Sequence, residues 1–204
     1  MTTPARNRGL AMPRILLAVL IVLVPTFAFA HTGVGDTTGF VHGFSHPFGG
    51  LDHVLTMVAV GLFAAKLGGR ALWAVPVSFV AAMALGGALG AAGATVPLVE
   101  IGIGLSVVVL GMAIAFQLSL PIFAAMALVA VFAVFHGHPH GAEMPDTASG
   151  LAYGAGFVCT TALLHASGIG LGTAIGFTGA SPRIVQAGGG AMAIAGVAIL
   201  SGVL

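Results

Sequence analysis

Six apolar runs follow one another along this chain, near residues 48–66, 71–92, 97–117, 120–137, 148–178 and 184–204. No other feature constrains the fold as tightly. Each run reaches the roughly 17 residues that an α-helix needs to cross about 30 Å of hydrocarbon. In that medium every backbone N–H and C=O must be bonded within the protein, which a helix does for itself. The expected fold class is therefore all-α, a polytopic membrane bundle of about six transmembrane helices. Composition agrees: of 204 residues 58% are apolar and 5% charged, against roughly a quarter charged in a soluble domain. A mean hydropathy of +1.13 and 32 glycines suit helices packed closely in lipid. The lipid bilayer is the first partner the sequence implies.

Residues 1–30 have the parts of a secretory signal in their usual order. Arg6, Arg8 and Arg14 form a basic start, Ile15 to Val24 an apolar stretch, and Ala28-Phe29-Ala30 a small-residue cleavage site after Pro25. Cleavage after Ala30 leaves a single domain over 31–204, beginning at His31 outside the cytoplasm. His31 to Ser45, rich in glycine, then reads as an extracytoplasmic lead-in. Only Lys66, Arg70 and Arg183 remain as Lys or Arg beyond the signal. Positive charge in short loops resists translocation, and with the new N-terminus outside all three fall in cytoplasmic loops. The expected location is the cytoplasmic (inner) membrane, multi-pass, with both termini of the processed chain extracytoplasmic.

These residues also exclude several functions. No basic patch suits nucleic acid. The only lysine, Lys66, lies between Ala65 and Leu67, so there is no G-x-x-x-x-G-K-[ST] phosphate loop and no ATPase motif. Cys159 is the single cysteine, which rules out an intrachain disulfide and a thiolate metal cage. Gly-Gly pairs at 49–50, 68–69 and 86–87 and the triplet Gly188 to Gly190 read as helix-packing contacts or turns.

Ionisable groups within a membrane are expensive and mark function by default. Here they form two clusters. The first surrounds the start of the first span of the processed chain: His42, His46, Asp52 and His53. Pro47 suits a first helical turn and steers His46 out of helical conformation. With Gly49-Gly50 following, His46 is placed to fold back toward Asp52 and His53. Met57, one turn below His53, offers a thioether that reads better as packing than as a ligand. The second cluster lies at the end of the fourth span, Phe135-His136-Gly137-His138-Pro139-His140-Gly141-Ala142-Glu143. If the helix continues, His136, His140 and Glu143 share a face, the spacing helices use to chelate metal. Pro139 argues instead for a His-rich loop at a helix end. Glu100 and His165 stand apart in the third and fifth spans and read as supporting groups. Imidazole and carboxylate suit Ni(II), Co(II), Zn(II) or Fe(II), and absent thiolates argue against Cu(I).

With both motifs in view, the chain resembles the HupE/UreJ family of nickel and cobalt permeases. The family's His, five residues, then Asp-His is matched by His46, Asp52 and His53. Its Phe-His-Gly-x-Ala/Val-His-Gly-x-Glu is matched by Phe135, His136, Gly137, His140, Gly141 and Glu143, with Pro139 departing from the usual residue. The resemblance runs through the signal peptide, the stretch at 68–73, Glu100 and the Leu-Leu-His ending at His165.

It implies secondary transport of Ni2+ or Co2+, often serving hydrogenase or urease maturation. The implied metal ligands are His46, Asp52, His53, His136, His140 and Glu143, with His31, His42, Met57, Glu100, His138 and His165 as secondary candidates. No prosthetic group is implied, only the bound and carried divalent ion. Two other classes compete: an intramembrane zinc hydrolase using the same His, Asp and Glu, and a membrane metal sensor or accessory protein. An N-terminal His31, with α-amino and imidazole nitrogens together, would add an outer capture site with His42 and His46.

Overall fold

The structure, a computed structural model, describes residues 39–142, 144, 150–177 and 182–204. The expected signal segment, its cleavage site, His31 and Glu143 lie outside the described residues. The described chain is all-helical. A short helix α1 (Gly39–Ser45) and a 3-10 turn (His46–Gly49) lead into α2 (Leu51–Leu67). Then come α3 (Ala71–Ala91), α4 (Val99–Ala115), α5 (Ile122–Ala142), α6 (Gly150–Phe177) and α7 (Pro182–Leu200). The Gly-rich lead-in is helical from Gly39 onward. α1 packs on α6, where a methyl on Gly43 would overlap the Tyr153 backbone and one on Gly156 the Phe40 carbonyl.

Among the described helices, α3, α5, α6 and α7 are long and apolar enough to cross a membrane. α1 with its 3-10 turn and α2 qualify as one broken span, bent by 87°. α4 is apolar but has 17 residues, about 26 Å of helix. Length and composition therefore give four spans, or five with the broken one, where six were expected.

The arrangement reverses that of a soluble protein. Phe123, Leu151 and Ile194 are exposed, while His53, Thr56, Ser106, His136, His140, Thr160, Thr161 and His165 are buried. Large exposed apolar surface needs an apolar surrounding, and buried polar groups need a reason to be there. α2 is central, touching α3, α4, α6 and α7. Gly68 and Gly69, with φ of +70° and +52°, supply the left-handed turn that reverses the chain into α3. Helices alternate in direction, so Lys66 closing α2, Arg70 preceding α3 and Arg183 opening α7 share one end of the bundle. The starts of α2 and α6 and the end of α5 share the other.

α3 and α5 run in parallel at backbone contact. A Cβ on Gly86 would overlap the Val134 carbonyl, and one on Gly137 or Gly141 would overlap the carbonyl of Met83 or Gly87. Small residues permit such approach in lipid, and this contact fixes the height and rotation of the face carrying His136 and His140. Gly137→Ala is therefore expected to cost about 1–3 kcal/mol through overpacking. Gly188→Ala, where a Cβ meets nothing within 4 Å, should leave the thermal midpoint of the purified protein unchanged. Equal midpoints for both variants would mean that the α3–α5 contact is not that tight.

Candidate metal-ion site

The junction of α1 and α2 builds one half of the site. A residue before proline is steered from α conformation, and α1 ends at Ser45, with His46 in the 3-10 turn that contains Pro47. Gly50 is extended at φ −119° and ψ 122°, and α2 then departs at the sharp bend. The bend lays the His46 ring 4.7 Å from that of His140, centroid to centroid. His42 lies one shell further out, 5.8 Å from the His46 ring and 5.7 Å from Tyr153.

α5 builds the other half. Pro139 does not end it; the helix runs on to Ala142, beyond the boundary near 137 that the sequence suggested. A membrane helix tolerates an internal proline where neighbouring helices pack around it, and Gly137 and Gly141 hold this stretch against α3. For His136 and His140 the helical reading holds and the loop reading does not; Glu143 lies outside the described residues. His136 and His140 are both buried on one face. His138 points elsewhere, its Nε2 2.7 Å from the Ala94 carbonyl.

The two halves meet. The His53 ring lies 4.6 Å from that of His136 and 4.7 Å from that of His140, and Phe157 of α6 closes on His140 at 4.3 Å. Hydrogen bonds then assign the protons. Asp52 Oδ1 accepts from the His53 backbone N–H at 2.7 Å and from its Nδ1 at 2.8 Å. With Nδ1 protonated, a neutral His53 keeps its lone pair on Nε2. That nitrogen lies 2.8 Å from His140 Nε2, which must donate, so the His140 lone pair is on Nδ1. Ser106 Oγ donates to the Ile103 carbonyl at 2.6 Å. It then accepts from Thr56 Oγ1 and from His136 Nε2, each at 2.8 Å, leaving the His136 lone pair also on Nδ1. Both Nδ1 atoms are buried without a hydrogen-bond partner among the described residues.

Such unclaimed lone pairs in a dry site suit a cation. The rings meet mostly edge to face, and among the described residues no three His, Cys, Asp or Glu side chains form a ready-made metal cage.

Of the remaining candidates, Met57 is fully buried in the apolar core. Glu100 is exposed in the first turn of α4, where a carboxylate suits the helix dipole. His165 is buried deeper, edge-on to Phe79. Sequence reasoning missed Ser106 and Thr56, which orient His136, and Tyr153 and Phe157, which wall the site from α6. The available signal was weak: Ser106 is the only hydroxyl side chain in α4, and a lone serine costs a membrane helix little.

Comparison with known proteins agrees with these motifs. The family described as HupE / UreJ protein matches residues 18–199. Protein HupE of Rhizobium leguminosarum bv. viciae is 43% identical over 189 residues, covering 93% of this chain and 98% of that relative. No solved structure matches the chain.

Proposed function

We propose, from the premise that the chain belongs to the HupE/UreJ family, that it is a secondary transporter of a divalent transition metal. Ni2+ is the first choice and Co2+ the second, carried across the cytoplasmic membrane into the cell. The chain is a multi-pass membrane protein of a transporter and accessory family, not an enzyme. One observation carries the proposal: imidazoles from two separate helices meet in a buried site with lone pairs that no hydrogen bond claims.

His53, His136 and His140 then bind the ion through nitrogen, with His46 above them; Glu143, implied as a ligand by the family motif, lies outside the described residues. Asp52 holds the His53 ring and raises its basicity, as carboxylates behind metal-binding histidines do. A nitrogen and carboxylate set fits borderline ions such as Ni(II) and Co(II). Lys and Arg favour the cytoplasmic side. This supports an orientation with Lys66, Arg70 and Arg183 inside, and the histidines facing the exterior from which the ion arrives.

Movement inward needs no ATP. A doubly charged ion gains about 2 × 2.3 kcal/mol per 100 mV, enough for accumulation on the order of a thousandfold. Purified protein in proteoliposomes is therefore expected to take up Ni2+ when an inside-negative potential is imposed, with Co2+ competing better than Zn2+ or Fe2+. Uptake no greater than in empty vesicles would sink the proposal.

A further inference from the structure

His165 is 2% exposed, and neither ring nitrogen has a hydrogen-bond partner among the described residues. Buried polar side chains that tie membrane helices together do so by bonding across them. Thr160 bonds the Phe44 carbonyl at 2.5 Å, and Ser106 bonds both Thr56 and His136. His165 makes no such tie, so helix packing does not explain an imidazole at this depth. On α6 it lies two turns beyond Phe157, which closes on His140 of the site described above, about 12 Å along the helix.

Its surroundings connect it to that site. The Phe79 ring is 5.1 Å from the His165 ring and 5.9 Å from that of His136, so a single aromatic side chain touches both. Thr161 is one turn before His165 on α6, and Met83 one turn after Phe79 on α3, which puts each pair on a common face. The faces meet, with Thr161 Oγ1 3.7 Å from Met83 Sδ. The thioether and hydroxyl thus meet one helical turn along the α3–α6 contact from an imidazole whose two nitrogens are unclaimed among the described residues.

We propose that His165, with Met83 and Thr161, is an inner binding station for the divalent metal ion, reached from His136 past Phe79. This rests on the transport reading above. The donor set is neutral and weaker than the upper one, which has the Asp52 carboxylate behind it. Conduction requires sites that an ion enters readily and can also leave, and a weaker station further in serves release. An ion held there keeps part of its water shell.

The test compares wild type with His165→Gln and His165→Cys in proteoliposomes, using Ni2+ alone as the probe. His165→Gln, close in size, should lower maximal Ni2+ uptake tenfold or more. Half-saturation, and high-affinity Ni2+ binding to the purified protein, should stay at wild-type values because the upper site is intact. His165→Cys places a thiolate in the path and should make uptake at least tenfold more sensitive to Cd2+. Wild type carries the exposed Cys159 as well, so any such shift belongs to position 165. Wild-type maximal uptake by His165→Gln, joint loss of uptake and Ni2+ binding, or unchanged Cd2+ sensitivity would each overturn the station. If wild type itself takes up no Ni2+, it is the transport reading that has failed.

Discussion

His53→Ala is expected to reduce Ni2+ uptake to the level of empty vesicles while the protein still inserts and packs. His53 is the hinge of the site: its Nδ1 is held by Asp52, its Nε2 faces His140, and its ring touches that of His136. Removing it deletes one nitrogen ligand, takes from His140 the group that orients it, and opens a gap against the His136 ring. Asp52→Asn is the finer variant. It keeps the shape but removes the charge, and the amide need not present its oxygen to His53 Nδ1. Loss of a carboxylate behind a metal-binding histidine typically costs about 10–100-fold in affinity or activity. Half-saturation should therefore rise by that order, with residual uptake, whereas His53→Ala should leave none. Uptake at matched protein levels decides the matter. A wild-type rate from His53→Ala would remove the residue from the ion's path, and complete loss in both variants would make Asp52 a direct ligand.

The legible part of this molecule was written in residue types that lipid makes costly. Asp52 beside His53, and His136 four residues from His140, could be read as a site because an apolar span has no other use for them. The helical bundle followed from run length alone. Harder to see was how the first span breaks. Pro47 and Gly50 announced a bend, but its 87° angle depends on α1 docking against α6 through Gly43 and Gly156, a contact between segments more than a hundred residues apart. The continuation of α5 through Pro139 was likewise undecided locally, because the stretch is supported by α3, not by its own propensity. Ser106 escaped notice because its role depends on accepting from His136 across a helix interface, and nothing in α4 itself points to that partner. Glycines signalled close packing in general, but which ones lie at a backbone contact depends on the partner helix. Gly188 and Gly189 are neighbours, yet only Gly189 meets α4.

The second large effect separates positions two residues apart. Uptake by His136→Gln should fall on the order of a hundredfold, a loss of about 2.7 kcal/mol by the usual conversion. His138→Ala should stay within about threefold of wild type. Glutamine at 136 can still donate an N–H to Ser106 and fill much of the ring's volume, so the polar chain through Thr56 and Ser106 survives. What it lacks is the second nitrogen, the unclaimed Nδ1 lone pair. Loss of uptake by this variant thus reports on metal ligation more than on packing. His138 instead bonds the Ala94 carbonyl at the surface, an exposed contact worth about 0.5–1.5 kcal/mol of local order. The contrast depends on α5 remaining helical through Pro139, because only then do positions 136 and 140 face the interior together while 138 turns away. Equal loss in the two variants would mean that this segment binds metal as a loop when the ion is present, and that the helical face is not the working arrangement.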